Sequence, residues 1–325
     1  MRKVQLGRDG PQVGVIAASL SAPPTASLPL ARLAVLAPAT QDPAFSGEDK
    51  SAAAVLAALQ AGANLVDTDW ITAGGHGQEI LGRLLQQLDR DSLVIGGKGG
   101  PRLAFGGALK LDNSRGNLIN QCQDSLFRLK TGHVDLFQVH WPDATEPAQT
   151  ARGLLDMRHQ GLVRHLGVCN YSAAQAGALH ALAPLATAQA PVSLLRRAAL
   201  VDLAPFCRRA GVTLLAADPL CAGLLARRFA GDETFSEADA DDWFRQPSFG
   251  RACALAQKLH EWAQARGLAG ETVAAAWCLH QPGLGCVLAP ATDATEMAAL
   301  LAAADVKLSA AELVELADLA QRHGF

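Results

Sequence analysis

Tyrosine is nearly missing from this chain: among 325 residues only Tyr171 carries a phenol. Chemistry that needs a phenolic acid therefore has one place to find it. The seven cysteines stand singly at 122, 169, 207, 221, 253, 278 and 286, and no CxxC occurs. That spacing argues against a disulfide frame or a zinc site and suits reduced thiols in a cytoplasm. No metal is expected. No run of 18 or more uncharged apolar residues appears, although Leu28 to Thr40 is rather apolar, so no membrane-spanning helix is expected. Met1-Arg2-Lys3 leads into Val-Gln-Leu-Gly-Arg-Asp-Gly, too polar for the apolar part of a signal peptide. The net charge is −3 and no basic block with interleaved aromatics exists, which excludes nucleic acid and membrane surfaces as expected partners. Gly96-Gly97 and Gly99-Gly100 form neither a phosphate loop nor the dinucleotide fingerprint of a doubly wound sheet.

What is present is a large apolar fraction, 50% against 18% charged, enough for a substantial core. Short apolar runs alternate with longer helical patterns, the signature of βα units and a parallel sheet. After an N-terminal hairpin (Val4 to Leu6, a Gly-Arg-Asp-Gly turn, then Val13 to Ala17), strands are predicted at Asn64–Asp67, Leu93–Gly97, Leu136–His140, His165–Cys169, Ala186–Gln189, Thr213–Ala216 and Gly285–Leu288. Helical stretches fall between them at Ser51–Ala61, Gln78–Leu88, Asn117–Leu129, Glu146–Gln160, Ala173–Leu182, Val201–Arg209, Thr272–His280 and Glu296–Ala304. With Val13–Ala17 as the first stave, eight strand–helix units result, and no linker divides them. The expected fold is one α/β domain over 1–325, a (β/α)8 TIM barrel with an N-terminal β-hairpin. Ser21 to Lys50 and Arg227 to Gly250 are expected as long loops over the C-terminal mouth, where barrel enzymes build their sites.

Polar groups sit at the ends of adjacent staves. Asp67 closes the second strand, Lys98 follows the third and His140 closes the fourth. A carboxylate beside an ammonium would hold it charged and act on neighbouring acids. Each residue alone could be structural, as an ion pair or a satisfied histidine. Three at successive strand ends point to a reactive mouth.

The order of several stretches resembles the aldo-keto reductases over nearly the whole length. They are Leu6-Gly7-Arg8-Asp9-Gly10, Ala61-Gly62-Ala63-Asn64-Leu65-Val66-Asp67-Thr68, Glu79-Ile80-Leu81-Gly82, Asp135 to His140, Gly161 to Ser172 and Pro219 to Leu225. The resemblance implies that Asp67, Lys98 and His140 are catalytic, and that Asn170 and Gln189 hold the carboxamide of NADPH. It also implies a tyrosine a few residues after Asp67. Asp67-Thr68-Asp69-Trp70-Ile71-Thr72 puts Thr72 there, or Ile71 if the loop shifts by one. Other family positions differ too. Val192 replaces the aromatic that stacks on nicotinamide, and Asp218 replaces a serine or threonine beside the pyrophosphate. Thr292 replaces the arginine of the 2′-phosphate clamp, and Ala299 and Leu300 replace the adenine ligands. A threonine cannot imitate a bidentate guanidinium–phosphate contact. Arg227 and Arg228 could reach a pyrophosphate or serve as solvated loop charges.

His76, in Gly74-Gly75-His76-Gly77, could supply the missing acid, since an imidazole titrates near neutrality, or be an exposed loop histidine. Trp70 and Trp141 could wall an apolar pocket or pack between elements. Asp69 and Asp143 read as loop and turn carboxylates. The leading expectation is an enzyme acting on a small carbonyl or hydroxy metabolite by acid–base chemistry (dehydration, isomerisation or cyclisation) with little or no use of NADPH: Lys98 or His140 moves the proton, Asp67 orients Lys98, and Asn170 or Gln189 holds a substrate polar group in place of the cofactor. A second is an NADPH-dependent reductase with a substitute proton donor. A third is an inactive barrel serving as a binding partner.

Overall fold

The computed structural model describes residues 1–21, 48–103, 109–226, 229–231, 233 and 244–325. Arg227, Arg228 and most of the two expected mouth loops, 22–47 and 234–243, lie outside the described residues. A two-stranded antiparallel hairpin comes first, β1 (Lys3–Gln5) with β2 (Gln12–Gly14). Next come β3 (Ile16–Ser19), β4 (Leu65–Asp67) and β5 (Val94–Gly99). A second antiparallel pair follows, β6 (Pro101–Leu103) with β7 (Leu109–Leu111). The remaining strands are β8 (Val134–Val139), β9 (Val163–Cys169), β10 (Thr187–Pro191), β11 (Thr213–Ala217) and β12 (Leu284–Pro290). Strands β3, β4, β5, β8, β9, β10, β11 and β12 close into one barrel in that order, every seam parallel. The expected TIM barrel is the observed fold.

Burial explains the strands. All six residues of β5 and of β8 are buried, as staves covered on both faces must be. Gly99 is required by close approach, because a Cβ there would stand 2.6 Å from the Phe137 ring. The hairpin plugs one end of the barrel. Its Leu6 and Val13 are fully buried against Ala17, Leu65, Val94, Leu136, Leu215, Cys286 and Leu288. Helices pack outside, several with clear stops and starts. Ser172 and Gln175 form a reciprocal cap for Ala173–His180, and Ser309 and Glu312 do the same for Ala310–Arg322.

Several boundaries differ from expectation. The first stave is not Val13–Ala17, because a break at Val15 assigns Val13 to the hairpin and Ile16–Ser19 to the barrel. Val201–Arg209 divides into Ala198–Val201 and Leu203–Ala210. The pair β6–β7 and the helix Ser248–Gln264 carry no sequence expectation, the latter starting inside the presumed loop Arg227 to Gly250. No helix among the described residues is long and apolar enough to cross a membrane.

Hydrogen bonds past the strand ends tie the mouth together. Leu20 N donates to Asp67 O, Thr68 N to Gly96 O, His140 N to Gly99 O, Asn170 N to Gln189 O, Val192 N to Ala217 O and Ala291 N to Ser19 O, all at 2.8–3.0 Å. The Asn170 side chain adds a bond from Nδ2 to His140 O, 3.1 Å, across the β8–β9 seam.

Candidate active site

Asp67 and Lys98 meet at the mouth end of β4 and β5. The Lys98 ammonium donates to both Asp67 oxygens at 2.6 and 2.7 Å, to Ser21 Oγ at 2.9 Å and to Thr68 O at 3.3 Å. Ser19 Oγ donates to Asp67 Oδ2 at 3.1 Å. Burial by itself would lower the lysine pKa, but Asp67, then Asp69, more than offset it and hold the ammonium above its ordinary range. All three ammonium protons are committed to protein oxygens. Lys98 is therefore built into the wall as a fixed positive charge.

His140 is 3% exposed and follows β8, with its ring stacked on Trp141 at 3.6 Å between centroids. Burial, then the charge of Lys98, pushes its pKa well below the ordinary imidazole value. The ring is neutral at physiological pH, with a hydrogen to donate and no charge to neutralise. The expected trio is thus brought together, with unequal roles.

Asn170 ends β9 in the left-handed conformation, φ 62°, which asparagine tolerates better than most residues. Its Nδ2 is used by His140 O and Cys169 Sγ, while its Oδ1 is buried with no partner. On the neighbouring β10, Gln189 is 1% exposed and its Oε1 is also buried without a partner. Two unsatisfied acceptors on adjacent strand ends require explanation, since each costs roughly 1–3 kcal/mol when left alone. Both can accept from a hydrogen-bond donor on a ligand. Asn170 and Gln189, the pair to which the resemblance gives the carboxamide, therefore stand on neighbouring strand ends with a free acceptor each.

Other expectations fare differently. His76 opens the helix His76–Leu84, with its Nδ1 3.4 Å from Glu79 Oε2. Thr72 and Ile71 are both buried; Thr72 N donates to Asp69 Oδ1 at 2.7 Å, and Ile71 packs with Leu109, Trp70 and Trp141. Both tryptophans pack there, and Trp141 also lines the neighbouring cleft. Asp143 is a turn carboxylate, accepting from Asn113 N and Thr145. Asp69 is more than a loop carboxylate. It is 1% exposed, it acts electrostatically on both Asp67 and Lys98, and its Oδ2 is buried without a partner. Sequence reasoning passed over Asp69, Ser19 and Ser21. The two-residue spacing from Asp67 was the available signal for Asp69, because alternate residues at a strand end share a side.

Val192 is fully buried in the core, and so is Leu300. Asp218 accepts from Ala222 N at 2.6 Å and lies 3.7 Å from Arg196, so its charge is partly countered. After β12, the Thr292 hydroxyl donates to Glu296, and Asp293 caps the helix Ala294–Leu301 through Thr295 N and Glu296 N. That helix N-terminus, which would otherwise attract an anion, already holds two carboxylates.

A cleft of about 650 Å³ opens beside the site, lined among others by Trp141, Asn170, Tyr171, Pro191, Leu195 and Arg197. The chain's one phenol borders it. Burial, then Asp143, pushes the Tyr171 pKa up, making it a poorer acid than free tyrosine. All seven cysteines are free, and no cluster able to hold a metal occurs among the described residues.

Residues 38–321 match the profile of the Aldo/keto reductase family, and the chain belongs to that family. It is 31% identical over 265 residues to the aldo-keto reductase YhdN of Bacillus subtilis (strain 168), covering 78% of each chain. It is 27% identical over 281 residues to an NADH-specific methylglyoxal reductase of Escherichia coli (strain K12), covering 82% of this chain and 86% of that one. Among solved structures it resembles the glycerol dehydrogenase AKR11B4 from Gluconobacter oxydans, with TM-score 0.83 and 26% identity over 99% of this chain and 96% of that one. The protein is an aldo-keto reductase superfamily enzyme.

Proposed function

We propose that the protein interconverts a small carbonyl compound and its alcohol with a nicotinamide cofactor, using a proton donor other than the tyrosine its family employs. The observation that carries this reading is the pair of unsatisfied acceptors, Asn170 Oδ1 and Gln189 Oε1, at one edge of the Asp67–Lys98–His140 cluster. When bound, the cofactor supplies or accepts a hydride. Asn170 and Gln189 orient its carboxamide, and the neutral His140 ring donates a hydrogen bond to the carbonyl oxygen, polarising it. Lys98 stabilises negative charge growing on that oxygen from a fixed position. The relatives point the same way, one named for methylglyoxal reduction and one for glycerol oxidation.

The reading with acid–base chemistry and no cofactor has less support. Lys98 holds its proton more tightly than a free lysine, with every N–H engaged, which suits neither a general base nor a mobile acid. The phosphate end of the cofactor is where fit is poor. Thr292, Asp293 and Glu296 offer no cation to a 2′-phosphate, so NADPH gains nothing there over NADH. Titrating both nucleotides by fluorescence, then measuring turnover on small aldehydes and ketones, tests the proposal. Micromolar binding and turnover of either nucleotide supports it; turnover of a carbonyl or hydroxy compound without nicotinamide would restore the non-redox reading.

A further inference from the structure

Tyr171, the chain's one phenol, stands between two hollows. The first is the cleft of about 650 Å³, which reaches the site through Asn170 and through Trp141, stacked on His140. The second, of about 300 Å³, lies between the start of the helix Pro147–His159 and the helix Ala173–His180. Pro142 and Tyr171 line both. Asp143 lines the second hollow, and its charge acts on the Tyr171 phenol, so the ring reaches that side as well.

The wall is held from three directions. Before Tyr171 in the chain, Asn170 is pinned by its bond from Nδ2 to His140 O; after it, Ser172 caps the helix Ala173–His180. The ring itself packs on the main core. Turning it aside would return that packed face to water, at a cost set by the apolar area exposed. What the second hollow offers is apolar. Ala174 and Ala178, four residues apart, put two methyl groups on one helix face, and Pro142, Pro147 and Leu179 surround them. Its polar side chains are already bonded to the chain. Thr145 donates to Asp143, Thr150 donates to Asn113 O, and Gln175 Oε1 accepts from Ser172 within the helix cap. The occupant that suits such a space is a hydrocarbon tail.

We propose that Tyr171 sets the upper length of the carbonyl substrate, closing the reaction cleft against an apolar hollow that a longer alkyl or aryl tail would otherwise enter. The inference rests on the reductase reading above and narrows its substrate class to short carbonyl compounds, whose carbon chain ends at the phenol ring. Removing the ring would join the two hollows. Each methylene that then leaves water is worth about fourfold in kcat/KM, the equivalent of roughly 0.8 kcal/mol.

A series of straight-chain aldehydes of increasing length, reduced with NADH or NADPH, tests the wall through the ratio of kcat/KM between successive members. The wild type should gain with length up to a limit and lose beyond it. Tyr171→Ala should raise that limit, gaining about fourfold per methylene across its former position. Tyr171→Leu, which keeps an apolar group on the core, should raise it less, and Tyr171→Phe, which keeps the ring, should leave it in place. Ala178→Phe added to Tyr171→Ala fills the second hollow from its far side and should bring the limit back; Ala178→Phe alone should not move it. An unmoved limit in both Tyr171→Ala and Tyr171→Leu would overturn the assignment. So would a lower limit in Ala178→Phe alone, because the tail would then already enter that hollow in the wild type. If no nicotinamide is turned over, the reductase reading fails separately. Calorimetric titration of the matching alcohols without nucleotide then decides: a length limit that Tyr171→Ala lifts keeps Tyr171 as the wall, and its absence removes it.

Discussion

The two sides of the barrel mouth contrast. On β4, β5, β8, β9 and β10 the polar groups are dense, buried and mutually bonded: Asp67 with Lys98, His140 under Asn170, and Asn170 beside Gln189. After β12 the same rim carries Thr292, Asp293 and Glu296, bonded among themselves and to a helix end. One side keeps two buried acceptors unsatisfied. The other has satisfied its helix N-terminus with its own carboxylates. The difference separates the demands of chemistry from those of gripping phosphate. A reaction centre needs fixed geometry around a few atoms, whereas a phosphate clamp adds affinity and can be exchanged for other contacts.

The largest expected effect comes from breaking the chemical side. Lys98→Met leaves Asp67 as an uncompensated buried carboxylate and should cost about 3–5 kcal/mol in denaturant unfolding, with much of it recovered in the Asp67→Asn/Lys98→Met double variant. Because folding raises the lysine pKa, its share of stability is complete below lysine's ordinary pKa and is lost only as pH rises through the higher folded value. The wild-type advantage over Lys98→Met should therefore shrink on the alkaline side, and a loss confined to acid would show that the pair is misread. Next in size, His140→Ala should lower carbonyl reduction by about 10²–10⁴ with little change in nucleotide affinity. Equal loss of affinity would move His140 into the binding set.

Smaller effects test the two acceptors and the clamp. Asn170→Ala or Gln189→Ala should each weaken nucleotide binding by up to about tenfold, matching the roughly 1 kcal/mol of one neutral hydrogen bond. An unchanged dissociation constant in both would leave the two acceptors without a ligand. Thr292→Arg should tighten NADPH relative to NADH by less than the roughly 1.5–3 kcal/mol of a charge-assisted bond, because Asp293 and Glu296 remain beside it. Smallest of all, His76→Ala should leave turnover within about twofold, as its partner is Glu79 on its own helix. A large drop there would make the histidine the missing acid after all.

Much of this was legible in the sequence. Buried staves such as Val94-Ile95 betray themselves by unbroken apolar runs, and strand ends by the polar residue that follows. Asp67, Lys98 and His140 could therefore be placed before any coordinates, and the resemblance supplied Asn170 and Gln189. Asp69 was passed over because its burial beside Asp67 and Lys98 is a property of three-dimensional neighbours, which a loop position in the sequence does not reveal. Leu300 stands where the resemblance puts an adenine ligand, and its complete burial in the core agrees with the loss of that contact. The split at Val15 was hidden because Val13–Ala17 is apolar throughout, and periodicity cannot divide an unbroken run.

The hydrogen bonds past the strand ends have an evolutionary consequence. They link β3 to β4, β4 to β5, β5 to β8, β8 to β9, β9 to β10, β10 to β11 and β12 to β3, and all but one of them use backbone atoms alone. A lip held by main chain is indifferent to most side-chain replacements in the loops above it. A lineage with such a lip can exchange the residues at 71 and 72, or those at 292 and 293, while the positions of Asp67, Lys98 and His140 stay fixed. New proton donors and new cofactor contacts can then be tried one at a time without refolding the barrel.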